Sequence, residues 1–139
     1  MSDFIVLVAE DDPDDRYFIK EGMRELAVSA DLHFVEDGEE LMLYLRRSEK
    51  YSDPLLSPRP ALILLDLNMP RKDGRQALLE IKTDPTLMNI PVAVWTTTDD
   101  SEVEAHCRKT GAEDFVTKSS TFSSLVSSLN RLVTTYCVK

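Results

Sequence analysis

Three stretches of this chain, Phe4 to Ala9, Ala61 to Leu65 and Ile90 to Trp95, are apolar along their whole length. Each is too short to bury a helix, and none alternates as a strand with one wet face would. Such runs fit central strands covered on both faces, which is the condition of a parallel sheet. The intervening segments have helical periodicity, and strand and helix alternate five times. The expected fold is α/β: a doubly wound, five-stranded parallel sheet with helices on both sides.

The local signals place the remaining elements. Asp12 suits a helix N-cap, with Pro13 at the first helical position and Asp14 and Asp15 complementing the helix dipole. That helix is predicted to reach about Leu26, with Phe18 or Ile19, Met23 and Leu26 on its buried stripe. A short strand, Leu32 to Val35, leads through the Asp37–Gly38 turn to a helix ending near Arg47, with Leu41 and Leu45 inward. Ser48 to Pro60 reads as a long loop, because Pro54, Pro58 and Pro60 break any regular element; it is either a partner surface or an insertion without a role. Arg75 to Thr83 and Asp99 to Thr110 follow as helices, the second capped by Gly111 and with Val103 and Cys107 inward. Asp114 to Thr117 is the fifth strand. The last helix carries Phe122, Leu125, Val126, Leu129, Leu132 or Val133, and Tyr136 on one face.

In open parallel sheets the working site lies beyond the carboxyl ends of the strands. Those ends carry Glu10 and Asp11, then Asp66, Thr96 and Lys118. A carboxylate closing a fully buried strand, as Asp66 does, is costly unless something needs it there. Converging carboxylates repel, so either one keeps its proton or a cation fills the gap, and oxygen ligands suit magnesium. A hydroxyl and an ammonium opposite them suit an anion such as a phosphoryl group, with Asp66 as nucleophile. Asn68, two residues on, cannot transfer a proton, which weighs against a phosphohydrolase. No glycine-rich loop follows the first strand, which weighs against a nucleotide or flavin module.

Composition narrows the field further. The 139 residues suit one domain, 1–139, with no separate output domain. With 16 basic and 25 acidic residues, a net charge of -9 and no dense basic cluster, direct nucleic-acid binding is not expected. Cys107 and Cys137 lack metal-ligand spacing and read as reduced thiols. His33 and His106 sit at no strand's carboxyl end and read as surface residues. The start at Met1, Ser2, Asp3 lacks the basic region of a signal peptide, and no run reaches membrane-spanning length, so a cytoplasmic protein is expected.

Taken together, Glu10, Asp11 and Asp12, then Asp66 to Pro70 with Asp73 and Gly74, then Thr96 and Thr97, and Gly111 to Phe115 with Lys118, resemble a response-regulator receiver domain of two-component signalling over essentially the full chain. The resemblance implies the flavodoxin-like receiver fold and a switch rather than an enzyme acting on an external substrate. Asp66 would accept a phosphoryl group from a sensor histidine kinase. Asp11 and Asp66 would bind Mg2+ directly, Glu10 directly or through water, and the carbonyl of Asn68 would complete the protein ligands. Thr96 and Lys118 would contact the phosphoryl oxygens, and Thr96 and Phe115 would switch together. The Ser48 to Pro60 loop and the Thr96–Thr98 triplet are similar to the small stand-alone regulators of cyanobacterial phytochromes, some of which pair through the last strand and helix. A phytochrome-type kinase and a homodimer are the implied partners, beside an unidentified downstream protein. A receiver that binds partners without phosphate is the alternative. Two positions depart from the family pattern: Ser119 replaces the usual cis proline after Lys118, leaving the Lys118–Ser119 peptide open, and Phe115 replaces the commoner tyrosine.

Overall fold

The computed structural model describes residues 4–137; Met1 to Asp3 lie outside them. The five strands are β1 (Ile5–Ala9), β2 (Asp31–Val35), β3 (Leu62–Leu65), β4 (Val92–Thr96) and β5 (Asp114–Thr117). They form one parallel sheet in the order β2-β1-β3-β4-β5. Between and after them run α1 (Pro13–Arg24), α2 (Gly38–Leu45), α3 (Gly74–Thr83), α4 (Ser101–Thr110) and α5 (Phe122–Tyr136). The winding direction reverses between β1 and β3, which opens a crevice at their carboxyl ends.

The wholly apolar strands divide their side chains between two cores. Leu7, Ala9, Ile63, Leu65, Val92 and Val94 face the layer of α2, α3 and α4. Val6, Val8, Leu62, Leu64, Ala93 and Trp95 face α1 and α5. This period-two division explains why neither face could tolerate polar residues.

Helix starts are fixed by side-chain caps. Asp12 Oδ1 accepts from Asp14 N at 2.8 Å, Asp37 Oδ1 from Glu40 N at 2.7 Å and Asp73 Oδ1 from Gln76 N at 3.0 Å. Asp100 and Thr121 cap α4 and α5 in the same way. At the end of α4, Gly111 has φ 126° and donates back to the carbonyls of Cys107 and Arg108, a conformation that a Cβ would strain.

Several boundaries differ from the sequence reading. α1 ends at Arg24 rather than Leu26, because Glu25 N and Leu26 N bond carbonyls three residues back and tighten the last turn. β4 begins at Val92 rather than Ile90, since Ile90 N is spent on Leu87 O and Pro91 has no donor. Within the expected loop, Glu49–Tyr51 forms one 3-10 turn ahead of the prolines. Phe122 is 39% exposed and meets Phe18 edge to face, so the buried stripe of α5 is Leu125, Leu129, Leu132 and Val133. That stripe is spent on the core beneath α1 and does not offer a free apolar face. Among the described residues no peptide bond is cis, so Lys118–Ser119 is trans, and no helix is long and apolar enough to cross a membrane.

Candidate functional site

The carboxyl ends of β1, β3 and β5 bring Glu10, Asp11, Asp66 and Lys118 together. Carboxylate oxygens of Glu10, Asp11 and Asp66 lie within 4.8 Å of one another, with Glu10 and Asp66 buried and Asp11 exposed. Lys118 Nζ lies 2.7 Å from Glu10 Oε1, 2.8 Å from Asp15 Oδ2 and 3.6 Å from Asp66 Oδ2. The ammonium is thus the counter-ion of the acidic cluster. Asp15 belongs to this cluster as well. Its place in the first turn of α1 also complements the helix dipole.

Backbone contacts hold the carboxylates. Asn68 N donates to Asp66 Oδ1 at 3.2 Å, Asp12 N donates to Glu10 Oε2 at 3.2 Å, and Arg16 Nε donates to the Glu10 carbonyl. The turn after Asp66 folds back onto the start of α3, where Gly74 N donates to Leu67 O at 3.1 Å. A Cβ at Gly74 would lie 2.3 Å from Asp66 O and 2.7 Å from the Leu67 Cα. The glycine at this position therefore belongs to the geometry of the aspartate.

Burial dominates the electrostatics of the cluster. It pushes the Glu10 carboxyl up to about 7, against the pull of Lys118 and aided by the charge of Asp66. Asp66 is raised by the same desolvation, which Lys118 opposes. Burial disfavours the Lys118 ammonium, but its hydrogen bonds to Asp15 and Glu10 prevail and hold it above the ordinary lysine range. Three carboxylates that one ammonium only partly neutralises form an oxygen donor set fit for a hard divalent cation.

Thr96 closes β4 fully buried, its Oγ1 accepting from Thr98 N at 3.4 Å, and its carbonyl accepts from Lys118 N at 2.6 Å. Phe115 is 9% exposed and packs into the core on the α4 side. Asn68 is exposed at the rim. His106 is exposed as expected, whereas His33 is half-buried against Tyr44, with Nδ1 3.0 Å from the hydroxyl.

Beside Phe115, Asp114 anchors α5 to β5. Arg131 Nη1 donates to its Oδ2 at 2.6 Å and Arg131 Nη2 to its Oδ1 at 3.3 Å, while the Tyr136 hydroxyl donates to Oδ2 at 3.2 Å. Desolvation raises the Asp114 pKa, but the hydrogen bond from Arg131 outweighs it and the net shift is downward. A depressed carboxyl pKa contributes stability that is present above the unfolded value of 3.8 and disappears as pH falls through the folded value. Arg131→Gln is expected to cost about 1–2 kcal/mol at pH 7, because the carboxylate loses its charged donor while Arg131 itself is half exposed. In chemical denaturation the gap between variant and parent should close below the unfolded pKa. A gap that stayed constant to low pH would assign Arg131 a packing role instead.

The similarities follow this geometry. Residues 6–130 match the family model described as the response regulator receiver domain. Response regulator Rcp1 of Synechocystis sp. (strain ATCC 27184 / PCC 6803 / Kazusa) is 40% identical over 98 residues, covering 70% of this chain and 65% of its own length. The phosphorylated cyanobacterial phytochrome response regulator RcpA superposes with a TM-score of 0.88 at 36% identity, over 97% of this chain and 94% of that one. The Mn2+-bound form of Rcp1 superposes with a TM-score of 0.84 at 33% identity, over 94% and 92%.

Proposed function

The chain belongs to the response regulator receiver family, and from that premise we propose that it is a phosphorylation-controlled switch whose phosphoacceptor is Asp66. The observation that carries this reading is the convergence of Glu10, Asp11 and Asp66 on one ammonium, Lys118, at the carboxyl ends of three strands. A carboxylate oxygen of Asp66 attacks the phosphorus of a phosphohistidine on a sensor kinase. The new O–P bond replaces the N–P bond, and the histidine nitrogen keeps the bonding pair. Thr96 and Lys118 then bind phosphoryl oxygens. The chemistry catalysed is the chain's own phosphorylation and the hydrolysis of the acyl phosphate, in which water attacks phosphorus, the Asp66 carboxylate leaves and inorganic phosphate is released.

Glu10, Asp11 and Asp66, with the carbonyl of Asn68, would hold Mg2+. A bound divalent cation supplies positive charge to the transferring oxygens and offsets the repulsion among the carboxylates. Similarity to RcpA and Rcp1 supports a phytochrome-type kinase as donor. The free, buried Cys107 and Cys137 suit a reducing compartment such as the cytoplasm. Output passes to a downstream protein through the face of α4, β5 and α5, with Thr96 and Phe115 as the moving parts. A homodimer through β5 and α5 is part of the proposal, and since the apolar stripe of α5 is internal, polar side chains such as Arg108 and Arg131 would carry it.

Intact mass after incubation with Mg2+ and acetyl phosphate tests the switch. The expected result is a gain of one phosphoryl group that disappears in Asp66→Asn and without divalent cation. NMR shifts at Thr96 and Phe115 and a change in sedimentation should accompany it in the same sample. Phosphoryl uptake that persisted in Asp66→Asn would overturn the assignment of the acceptor.

A further inference from the structure

The end of the sheet opposite Asp66 carries a second feature, at the amino ends of β3 and β4. Within the segment expected to be a loop, Ser48 to Pro60, residues 52–60 close over the last turn of α2 and the residues that lead into β4. It walls a half-open cavity of about 210 Å³ lined by Leu45, Pro58, Leu87 and Ile90 and by the polar Tyr44 and Thr86. The segment is tied down at several points. The Tyr44 hydroxyl donates to Pro58 O at 3.0 Å, Ser57 Oγ to Tyr51 O at 2.8 Å, and Arg47 Nε to Ser57 O at 3.2 Å.

Two guanidinium groups border the cavity. Arg47 is held by Ser57, and Arg59 Nη1 donates to Thr86 O at 2.8 Å. Among the described residues neither meets a carboxylate, although the chain has 25 acidic residues and Arg46, Arg71, Arg108 and Arg131 each find one. In the chain next to lining residues Ser57 and Leu87, Leu55 is 87% exposed, Leu56 60% and Met88 46%. Exposed leucines in the segment that walls a mixed polar and apolar cavity with a cationic rim mark a place where something docks.

From this geometry we infer that the cavity is a docking site for an acidic segment of a partner protein, which inserts one apolar side chain and sets carboxylates against Arg47 and Arg59. Charge selects the occupant locally: Arg47 and Arg59 border the cavity without a carboxylate partner among the described residues, so they attract an acidic segment and repel a basic one. Size agrees, since 210 Å³ is below the roughly 300–1,000 Å³ of sites that enclose whole small molecules. It suits one anchor residue. Because the site lies at the amino ends of the strands, an occupant leaves Asp66 open. Docking there is therefore constitutive and persists through phosphorylation.

The test uses isotope-labelled full chain and two synthetic peptides, one with a central Leu-Leu pair between glutamates and one with lysines in their place. The acidic peptide should shift the resonances of Leu45, Arg59, Leu87 and Ile90, binding at least about tenfold tighter than the basic one. The double variant Arg47→Glu with Arg59→Glu should lose that preference while keeping its folded spectrum and its phosphoryl uptake. Acetyl phosphate should leave the affinity within about twofold, since sites without coupling do not alter each other's binding. No response at millimolar peptide, an equal response to both peptides, or shifts confined to the α4–β5–α5 face would overturn the proposal. So would concentration-dependent shifts at Leu87 and Ile90 without peptide, which would assign the cavity to a second copy of the chain. Failure of phosphorylation at Asp66 leaves this test untouched.

Discussion

Gly74→Ala should cost the protein close to 3 kcal/mol and slow phosphoryl uptake at Asp66 by about a hundredfold. In an ordinary helix interior the same change would stabilise by up to about 1 kcal/mol, because alanine is the better helix former. At the first turn of α3 the new methyl has nowhere to go. It would lie 2.3 Å from Asp66 O and 2.7 Å from the Leu67 Cα, both backbone atoms that no rotamer change can move. Either α3 tilts away from the sheet or the turn carrying Asp66 shifts, and both displace the carboxylate from Glu10, Asp11 and Lys118. Gly111→Ala is the control. It strains a φ of 126° and presses on the Lys82 side chain, which Met88, Ile90 and Glu113 hold away from Asp66, so it should lower stability without slowing uptake in the folded fraction. Denaturation curves and the rate of mass gain read the two effects separately. Parental uptake in a folded Gly74→Ala protein would mean that the turn holding Asp66 tolerates the displacement.

The same glycine illustrates which parts of the structure could be read in the sequence. Strand ends were legible because a parallel sheet buried on both faces forces apolar runs, and the residue that breaks each run marks the crevice. Glu10, Asp11, Asp66 and Lys118 follow from that rule alone. Asp15 was not legible, since an acidic residue in a first helical turn satisfies the helix dipole equally well. Only the return of β5 beside β4 brings Lys118 within 2.8 Å of it. The Asp114–Arg131 pair was hidden for a related reason: it joins residues from two elements, and sequence periodicity has no access to such contacts. Phe122 illustrates the opposite error. It shares the helical period of the α5 stripe, but the buried arc is narrower than the period suggests, and the ring rests partly exposed on Phe18. In 52–60, the prolines correctly signalled irregular backbone. They could not signal that Tyr44 and Arg47 would pin that backbone into a cavity wall.

Lys118→Gln should destabilise the protein by about 3 kcal/mol at alkaline pH in buffer without divalent cations, since removing one partner of a buried ion pair leaves the other charge uncompensated. Here the remaining charges are Glu10 and Asp66, 1% and 6% exposed, facing each other and Asp11. The sign of the pH dependence follows from the proton balance. Glu10 has a pKa of about 7 even with Lys118 in place, above its unfolded value of 4.5, so folding takes up a proton between those values and this group favours the native state on the acid side. Without the ammonium the carboxyl pKa values should rise further. The deficit of the variant should therefore be full only above those raised values and should shrink as pH falls through them to about 7, below which the Glu10 carboxyl is neutral in both proteins. Magnesium should have the same effect by another route. In the parent a cation must displace the ammonium from Glu10, whereas in the variant it meets unneutralised carboxylates. Saturating Mg2+ should thus recover more stability in Lys118→Gln than in the parent, by the ratio of the two affinities. Denaturation at pH 5 and pH 8, with and without Mg2+, separates these contributions. A deficit independent of both pH and Mg2+ would mean that Lys118 acts through packing, and that the carboxylates at the ends of β1 and β3 tolerate one another without a cation.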